Sequence, residues 1–267
     1  MTGAERLRAA FEARTARGER ALVPYFTAGD PDLDTTRALL RAAVDASVDV
    51  IELGVPYSDP SADGPVLQAA AERALLGHVG LGDVIAAAST VAREVPVILF
   101  GYLNPFFQYG YDRLTRDAAA AGIAGVLVVD LPPEEAGPLL GALRAEGLAL
   151  VPLVTPVTPD ERLDLVAPLA DGFVYYVSVT GVTGSSLGTA GPSADRLRAV
   201  RARLGRPIAV GFGVRTPEDA RNVSEGADGV VVGSALVDLA FRTPAPERAA
   251  AVRAFLTELR DGLTGIG

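Results

Sequence analysis

The chain reads Val-Asp-Val-Ile-Glu-Leu-Gly-Val-Pro-Tyr-Ser-Asp-Pro-Ser-Ala-Asp-Gly-Pro from Val48 to Pro65. The stretch begins as a short apolar run, typical of a buried strand, and changes into turn residues from Gly54 onward. A carboxylate, Glu52, therefore lies inside a predicted strand, where its ionised form is unfavourable unless it is paired or bound by a polar ligand. Asp63 lies in the loop that follows the same strand. We expect both carboxylates to face one pocket.

Similar short apolar segments alternate with helical patterns along the whole chain, which indicates parallel βαβ units. An amphipathic opening helix is predicted over residues 6–17. Eight strands are predicted over residues 21–27, 48–54, 95–100, 124–129, 148–154, 172–178, 207–212 and 227–232.

A doubly wound open sheet would show the same alternation. A closed barrel is favoured because there are eight units and because polar residues collect after nearly every strand. The first strand is also not followed by the Gly-x-Gly-x-x-Gly pattern of dinucleotide-binding sheets. We therefore predict an α/β fold, a single (β/α)8 barrel of the TIM type with an extra N-terminal helix, in which residues 1–267 form one domain.

The composition excludes several kinds of chemistry. The 267 residues contain no cysteine, and all 24 basic residues are arginine. Disulfides, thiol nucleophiles and lysine Schiff bases are therefore excluded. The single histidine, His78, cannot form a multi-histidine metal site, and it is expected at the surface without a catalytic role; no metal site is predicted.

Charge and hydropathy limit the partners. The net charge of −9 argues against a general nucleic-acid binder or a protein that binds anionic membranes. No apolar run approaches the roughly 18 residues of a membrane span, and the polar start does not read as a secretory signal. A cytoplasmic protein is expected.

Three constellations could carry chemistry. Glu52 with Asp63 lies where barrel enzymes place catalytic residues, and burial should raise the pKa of Glu52 toward neutrality. A structural carboxylate is the alternative for Glu52, and a loop-capping residue is the alternative for Asp63.

Two glycine-rich groups, Gly211-Phe-Gly213 and Gly233-Ser234, end the seventh and eighth predicted strands. Their backbone N–H groups can hold a phosphate; tight turns are the alternative. The loop 179–192 is rich in small polar residues and suits a closing lid, or else a simple connector.

The residues from Glu52 to Pro65 resemble the signature of the tryptophan synthase alpha subunit family. The likeness continues in Val-Pro-Tyr-Phe-Thr-Ala-Gly-Asp-Pro (residues 23–31), Asn104-Pro105, Asp130-Leu-Pro132, Gly181-Val-Thr-Gly184, Gly211-Phe-Gly213 and Gly233-Ser-Ala235. It covers essentially the whole chain. The resemblance implies a (β/α)8 barrel that cleaves indole-3-glycerol phosphate to indole and glyceraldehyde 3-phosphate by a retro-aldol reaction.

The resemblance also implies roles for individual residues. Glu52 would be the general acid and base, and Asp63 would accept a hydrogen bond from the indole N–H. Substrate-binding positions would be Tyr25, Leu99, Tyr102 and Tyr175, with Thr183 on the lid, and phosphate-binding positions would be Gly184, Gly213, Gly233 and Ser234. Tyr25 stands where the family usually has phenylalanine.

A beta subunit is the implied partner, in an αββα assembly through which indole passes by a tunnel. The resemblance implies no cofactor in this chain and pyridoxal phosphate only in the partner. Ser61 and Ser186 depart from residues common in the family, at places that bear on lid closure and coupling. A stand-alone indole-releasing lyase, a weakly active allosteric partner of the beta subunit and a related phosphate-binding barrel isomerase remain as alternatives.

Overall fold

A computed structural model describes residues 1–177, 193–211 and 213–264. The strands in these ranges are β1 (Ala21–Thr27), β2 (Ile51–Gly54), β3 (Val97–Gly101), β4 (Gly125–Val128), β5 (Ala149–Leu150), β6 (Leu153–Val154), β7 (Val174–Val177), β8 (Ile208–Gly211) and β9 (Gly229–Val232). The helices there are α1 (Gly3–Thr15), α2 (Leu33–Asp45), α3 (Pro65–Leu76), α4 (Leu81–Ala88), α5 (Leu103–Tyr109), α6 (Tyr111–Ala120), α7 (Gly137–Ala145), α8 (Asp160–Val166), α9 (Ala194–Leu204), α10 (Pro217–Val223), α11 (Ser234–Arg242) and α12 (Arg248–Gly262).

All strand pairs in the described sheet are parallel, in the order β5-β4-β3-β2-β1-β9-β8-β7-β6. The two strands at the ends of this order are consecutive in the chain. One short continuous segment therefore joins both edges of the sheet and completes the predicted (β/α)8 barrel. The extra N-terminal helix is α1.

The predicted fifth strand, residues 148–154, is not one uninterrupted strand. It contains β5, which pairs with β4, and β6, which pairs with β7. Pro152 lies between them and has no N–H to donate, which favours an interruption of the ladder. Its carbonyl still accepts a 3.0 Å hydrogen bond from the Tyr175 N–H, and the Val151 N–H donates to the Val126 carbonyl at 2.9 Å.

Two apolar layers hold the barrel, one on each face of its strands. The interior layer includes Val23, Val50, Ile98 and Ala209, together with Leu7 and Phe11 of α1. The Phe11 and Phe173 rings lie 4.9 Å apart, so α1 packs against the interior of the barrel at the amino ends of the strands. The second layer lies between strands and surrounding helices. Because successive side chains of a strand point to opposite faces, each strand contributes to both layers.

A buried ion-pair network lies at the amino end of β2. Asp49 accepts 2.6 Å and 2.8 Å hydrogen bonds from the Arg14 Nε and the Leu22 N–H, and it is also paired with Arg260. Arg260 donates to the Arg20 carbonyl at 2.9 Å. The network ties α1 and α12 to the strands, at the end opposite the predicted active site.

Within the described ranges, no helix is long and apolar enough to cross a membrane. His78 is exposed in a turn, where its backbone φ is 57°. Its surface position agrees with the sequence-based expectation.

Candidate active site

Glu52 projects into the barrel from β2. It is in register with Tyr25 on β1 and with Ile98 on β3, and Ile98 belongs to the interior layer. The residue is 1% exposed, and among the described residues its Oε1 atom has no hydrogen-bond partner. Burial without a compensating partner raises the pKa of Glu52 well above its ordinary value. A buried carboxyl group with a raised pKa and no ion pair among the described residues is suited to proton transfer.

Asp63 lies in the loop between β2 and α3, one residue before Gly64, the N-cap of α3. Its backbone is fixed by a 3.1 Å hydrogen bond from its N–H to the Pro60 carbonyl and by the Gln68 side-chain amide, which donates to the Asp63 carbonyl at 2.8 Å. Burial raises the pKa of Asp63 to about 6, and an interaction with the Tyr102 hydroxyl opposes part of this rise. Both predicted carboxylates therefore lie at the carboxyl end of β2.

Three aromatic rings form an arc across the barrel interior. The Tyr25 and Phe100 rings meet edge to face with centroids 5.2 Å apart, and Phe100 and Tyr175 are 6.4 Å apart. The tyrosine hydroxyls lie over glycines of neighbouring strands: a Cβ added to Gly54 would be 2.1 Å from the Tyr25 oxygen, and one added to Gly211 would be 2.1 Å from the Tyr175 oxygen. Glycine at these two positions is therefore required by the tyrosines.

The two hydroxyls are neutral over the physiological pH range. Burial raises the pKa of both Tyr25 and Tyr175, and the nearby carboxylates raise it further, with Asp63 acting more on Tyr25 and Glu52 more on Tyr175. Thr27 donates a long 3.4 Å hydrogen bond to the Tyr25 hydroxyl. The arc thus adds polar but uncharged atoms to an apolar wall.

Leu99 does not line this pocket, and its assignment as a substrate-binding residue is wrong. It is fully buried in the layer between strands and helices, with Leu53 and Val126. Phe100, its neighbour on β3, takes the interior position instead. Because both faces of β3 are apolar, the sequence contains no polar residue that marks which face is inward; the register of β3 with Glu52 supplies that signal.

Tyr102 closes the pocket beside Asp63. It is 3% exposed, and its hydroxyl oxygen accepts a 3.0 Å hydrogen bond from the Ala62 N–H. Its ring lies 5.3 Å from that of Tyr57, which also belongs to the loop after β2. Tyr57 was not singled out from the sequence, because its contact joins segments that are far apart in the chain.

Two of the glycines predicted to bind phosphate, Gly213 and Gly233, lie just after two adjacent strands. Gly213 follows β8 with a φ of 32°, and Gly233 follows β9 as the N-cap of α11, whose first residue is Ser234. A Cβ added to Gly233 would be 3.7 Å from the Tyr25 Cβ, so this helix start borders the aromatic arc. The first N–H groups of a helix lack intrahelical partners and favour anions.

Thr183, Gly184 and the whole of the predicted lid, residues 179–192, lie outside the described residues. The described residues contain no group of three or more His, Asp or Glu side chains arranged to hold a metal ion. What they bring together is a pair of carboxyl groups in different surroundings. Burial raises the pKa of Glu52 well above its ordinary value, and it raises the pKa of Asp63 to about 6, where an interaction with Tyr102 opposes part of the rise.

Comparisons with known proteins agree on one family. The family profile described as tryptophan synthase alpha chain matches residues 11–261. The tryptophan synthase alpha chain of Pelobacter propionicus is 46% identical over 262 residues, covering 97% of this chain and 98% of the relative. That of Xanthomonas euvesicatoria is 47% identical over 266 residues, covering 97% and 98%.

Solved structures show the same likeness. A tryptophan synthase alpha chain from Legionella pneumophila has a TM-score of 0.86 at 36% identity and covers 100% of this chain and 99% of its own. A chain of Mycobacterium tuberculosis tryptophan synthase has a TM-score of 0.88 at 37% identity, covering 96% and 97%.

Proposed function

Because the chain belongs to the tryptophan synthase alpha chain family, we propose that Glu52 and Asp63 carry out its retro-aldol reaction. The family membership gives the chain its lyase activity and its place in tryptophan biosynthesis. The reaction cleaves indole-3-glycerol phosphate to indole and glyceraldehyde 3-phosphate. One observation supports the residue assignment: two buried carboxyl groups, each with a raised pKa, lie at the carboxyl end of one strand.

In the proposed mechanism Glu52 starts as the acid. Its raised pKa favours the protonated form, which donates its proton to indole C3. The resulting Glu52 carboxylate takes the proton of the adjacent glycerol hydroxyl. The C–C bond then breaks, its electron pair restores the indole ring, and the hydroxyl carbon becomes the aldehyde.

Asp63 acts as the ionised group. Its carboxylate accepts the indole N–H hydrogen bond and stabilises the positive charge that develops on the ring when C3 is protonated. A pKa of about 6 leaves it mostly ionised at neutral pH. The two carboxyl groups thus divide the work according to their surroundings.

Substrate binding is proposed at the remaining positions. Tyr25, Phe100 and Tyr175 flank the indole ring. Gly213, Gly233 and Ser234, with Gly184, hold the phosphate through backbone N–H groups, which requires no lysine. Thr183, on the predicted lid, is a further substrate-binding residue in this proposal.

The proposal includes a beta subunit as partner in an αββα assembly, with indole passed between the subunits. This chain then needs no cofactor of its own, and pyridoxal phosphate belongs to the partner. The cytoplasmic location expected from the sequence is part of the same proposal.

Glu52→Gln tests the mechanism because it keeps the side chain's shape and removes the titrating group. We expect indole release from indole-3-glycerol phosphate to fall by at least about 100-fold while the circular dichroism spectrum is unchanged. Glu146→Gln, at an exposed helix end, is the matched control and should keep full activity. A Glu52→Gln enzyme with wild-type turnover contradicts the assignment.

Indole release by the purified chain, with and without a tryptophan synthase beta subunit, separates the alternatives. A slow reaction that the beta subunit accelerates supports the proposal. A fast reaction whose rate does not change when the beta subunit is added indicates a stand-alone lyase. No reaction in either case, together with stimulation of the beta reaction, indicates an allosteric partner.

A further inference from the structure

Tyr102 connects the end of β3 to the loop that carries Asp63, a separation of about 40 residues along the chain. From this contact, and on the basis of the proposed role of Asp63, we propose that Tyr102 is a positioning residue. It holds the Asp63 carboxylate in place and keeps it ionised through its phenolic hydroxyl.

Tyr102 holds the loop at two points. Its hydroxyl oxygen accepts the Ala62 N–H at 3.0 Å, immediately before Asp63. Its ring packs on Tyr57, nearer the start of the same loop, with an angle of 33° between the ring planes. The residue is also the N-cap of α5, so its backbone is fixed to a regular helix. A rigid element therefore sets the position of a loop that bears a catalytic group.

The hydroxyl has a single proton to donate. Because its oxygen already accepts from Ala62, the proton remains available for an acceptor, and the proposal assigns it to the carboxylate of Asp63, the residue directly after Ala62. Both side chains are at least nine-tenths buried, at 3% and 8% exposure, so bulk water is poorly placed to replace this interaction. The electrostatic effects are mutual: Asp63 raises the pKa of Tyr102, after burial itself, and Tyr102 opposes the burial-driven rise in the pKa of Asp63.

A phenol donor beside a carboxylate stabilises the ionised form. Burial pushes Asp63 toward the protonated form, which could not accept the indole N–H in the same way. Tyr102 counteracts this push. The consequence is specific: loss of the hydroxyl should raise the pKa of Asp63 and disable the enzyme selectively at low pH.

Tyr102→Phe tests this inference, because it removes the hydroxyl and keeps the ring that packs on Tyr57. The measurement is kcat/KM for indole release from pH 5 to 9, which reports groups of the free enzyme. We expect the acid limb to move upward by about one pH unit, the size of effect that a hydrogen bond to a charged group has. Such a shift lowers activity by about fivefold at pH 6 and by less than about twofold at pH 9.

Tyr109→Phe is the matched control. Tyr109 lies at the other end of α5, and its hydroxyl donates to the Asp117 carboxylate at 2.7 Å, away from the pocket. This variant therefore loses a tyrosine–carboxylate hydrogen bond at the far end of the same helix, where Asp63 is not involved. Its acid limb should superimpose on that of the wild type.

A second measurement uses stability instead of activity. At pH 8, Tyr102→Phe should lower the melting temperature by about 3 °C more in the wild-type protein than in the Asp63→Asn variant. Only the wild-type protein has a negative charge at residue 63 that the Tyr102 hydroxyl can stabilise. Equal losses in both backgrounds, or an acid limb that does not move, overturn the inference. If instead Asp63→Asn keeps full activity, the proposed function of Asp63 fails first, whatever Tyr102 does.

Discussion

Glu52 and Asp63 share an unfavourable feature that the rest of the protein must tolerate. Burial raises the pKa of each carboxyl group, and neither is paired with an arginine among the described residues, although arginine is abundant in the chain. Pairing would make the folded protein more stable and would also fix the protonation state. Without an arginine partner, both groups stay available for a substrate, as is typical of the groups with shifted pKa values that occur at active sites.

Asp63→Asn should stabilise the protein at pH 8. The pKa of Asp63 rises from about 3.8 in the unfolded chain to about 6 in the fold. The folded state therefore binds more protons than the unfolded state between those values, and stability falls as pH rises through that window. Replacing the group with a neutral amide removes the penalty, which is about 1 to 3 kcal/mol at pH 8 and close to zero at pH 4.

Urea unfolding at the two pH values measures this difference. Asp45→Asn, at an exposed helix end, is the control and should show no such pH-dependent gain. A loss of stability at pH 8 in Asp63→Asn would show that the carboxylate makes a favourable interaction in the folded enzyme that outweighs its burial.

In strand β3, the alternation of side chains between the two faces of the sheet determines which residues reach the pocket. Leu99 and Phe100 are adjacent, yet one packs against helices and the other faces Tyr25 in the pocket. Leu99→Ala should lower the free energy of unfolding by about 2 to 5 kcal/mol and leave KM nearly unchanged. Phe100→Ala should lower kcat/KM for indole release by at least about tenfold, since it removes an aromatic ring that is proposed to flank the indole.

Paired measurements of urea unfolding and steady-state kinetics on the two variants test this division. We expect the loss of stability in Leu99→Ala only and the loss of kcat/KM in Phe100→Ala only. A large rise in KM for Leu99→Ala with Phe100→Ala unaffected would restore the original assignment of Leu99 to the pocket.

The same strand explains which parts of the site could be read from the sequence. Glu52 stands out because a charged residue interrupts an apolar strand, and the glycines after β8 and β9 stand out by type. Phe100 does not, because its neighbours on both faces are apolar and only the pairing with β2 fixes its direction. The contact between Tyr102 and Ala62 is equally invisible, since it depends on how two distant loops meet.

At the scale of the whole molecule, the sequence predicted eight strand segments around the barrel, but not that one of them is interrupted where the barrel closes. The apolar run 148–154 reads as one strand, and its interruption at Pro152 arises because its two halves pair with different neighbours. The Asp49 network was also not predicted. It joins residues near both ends of the chain, and nothing in the local pattern around Asp49 indicates Arg260 as a partner.

Asp49→Asn tests how much this network contributes. The change leaves Arg260 buried without its counter-charge, which typically destabilises a protein by about 3 to 5 kcal/mol. Asp34→Asn is the matched control: Asp34 pairs with Arg37 at 2.6 Å, but its side chain is 96% exposed, so its loss should change stability by less than about 0.5 kcal/mol. Urea unfolding at pH 7 gives both values.

Because the network lies at the amino ends of the strands, indole release per folded Asp49→Asn molecule should stay near that of the wild type. Equal and small effects of the two changes would show that α1 and α12 are held to the barrel by apolar packing alone.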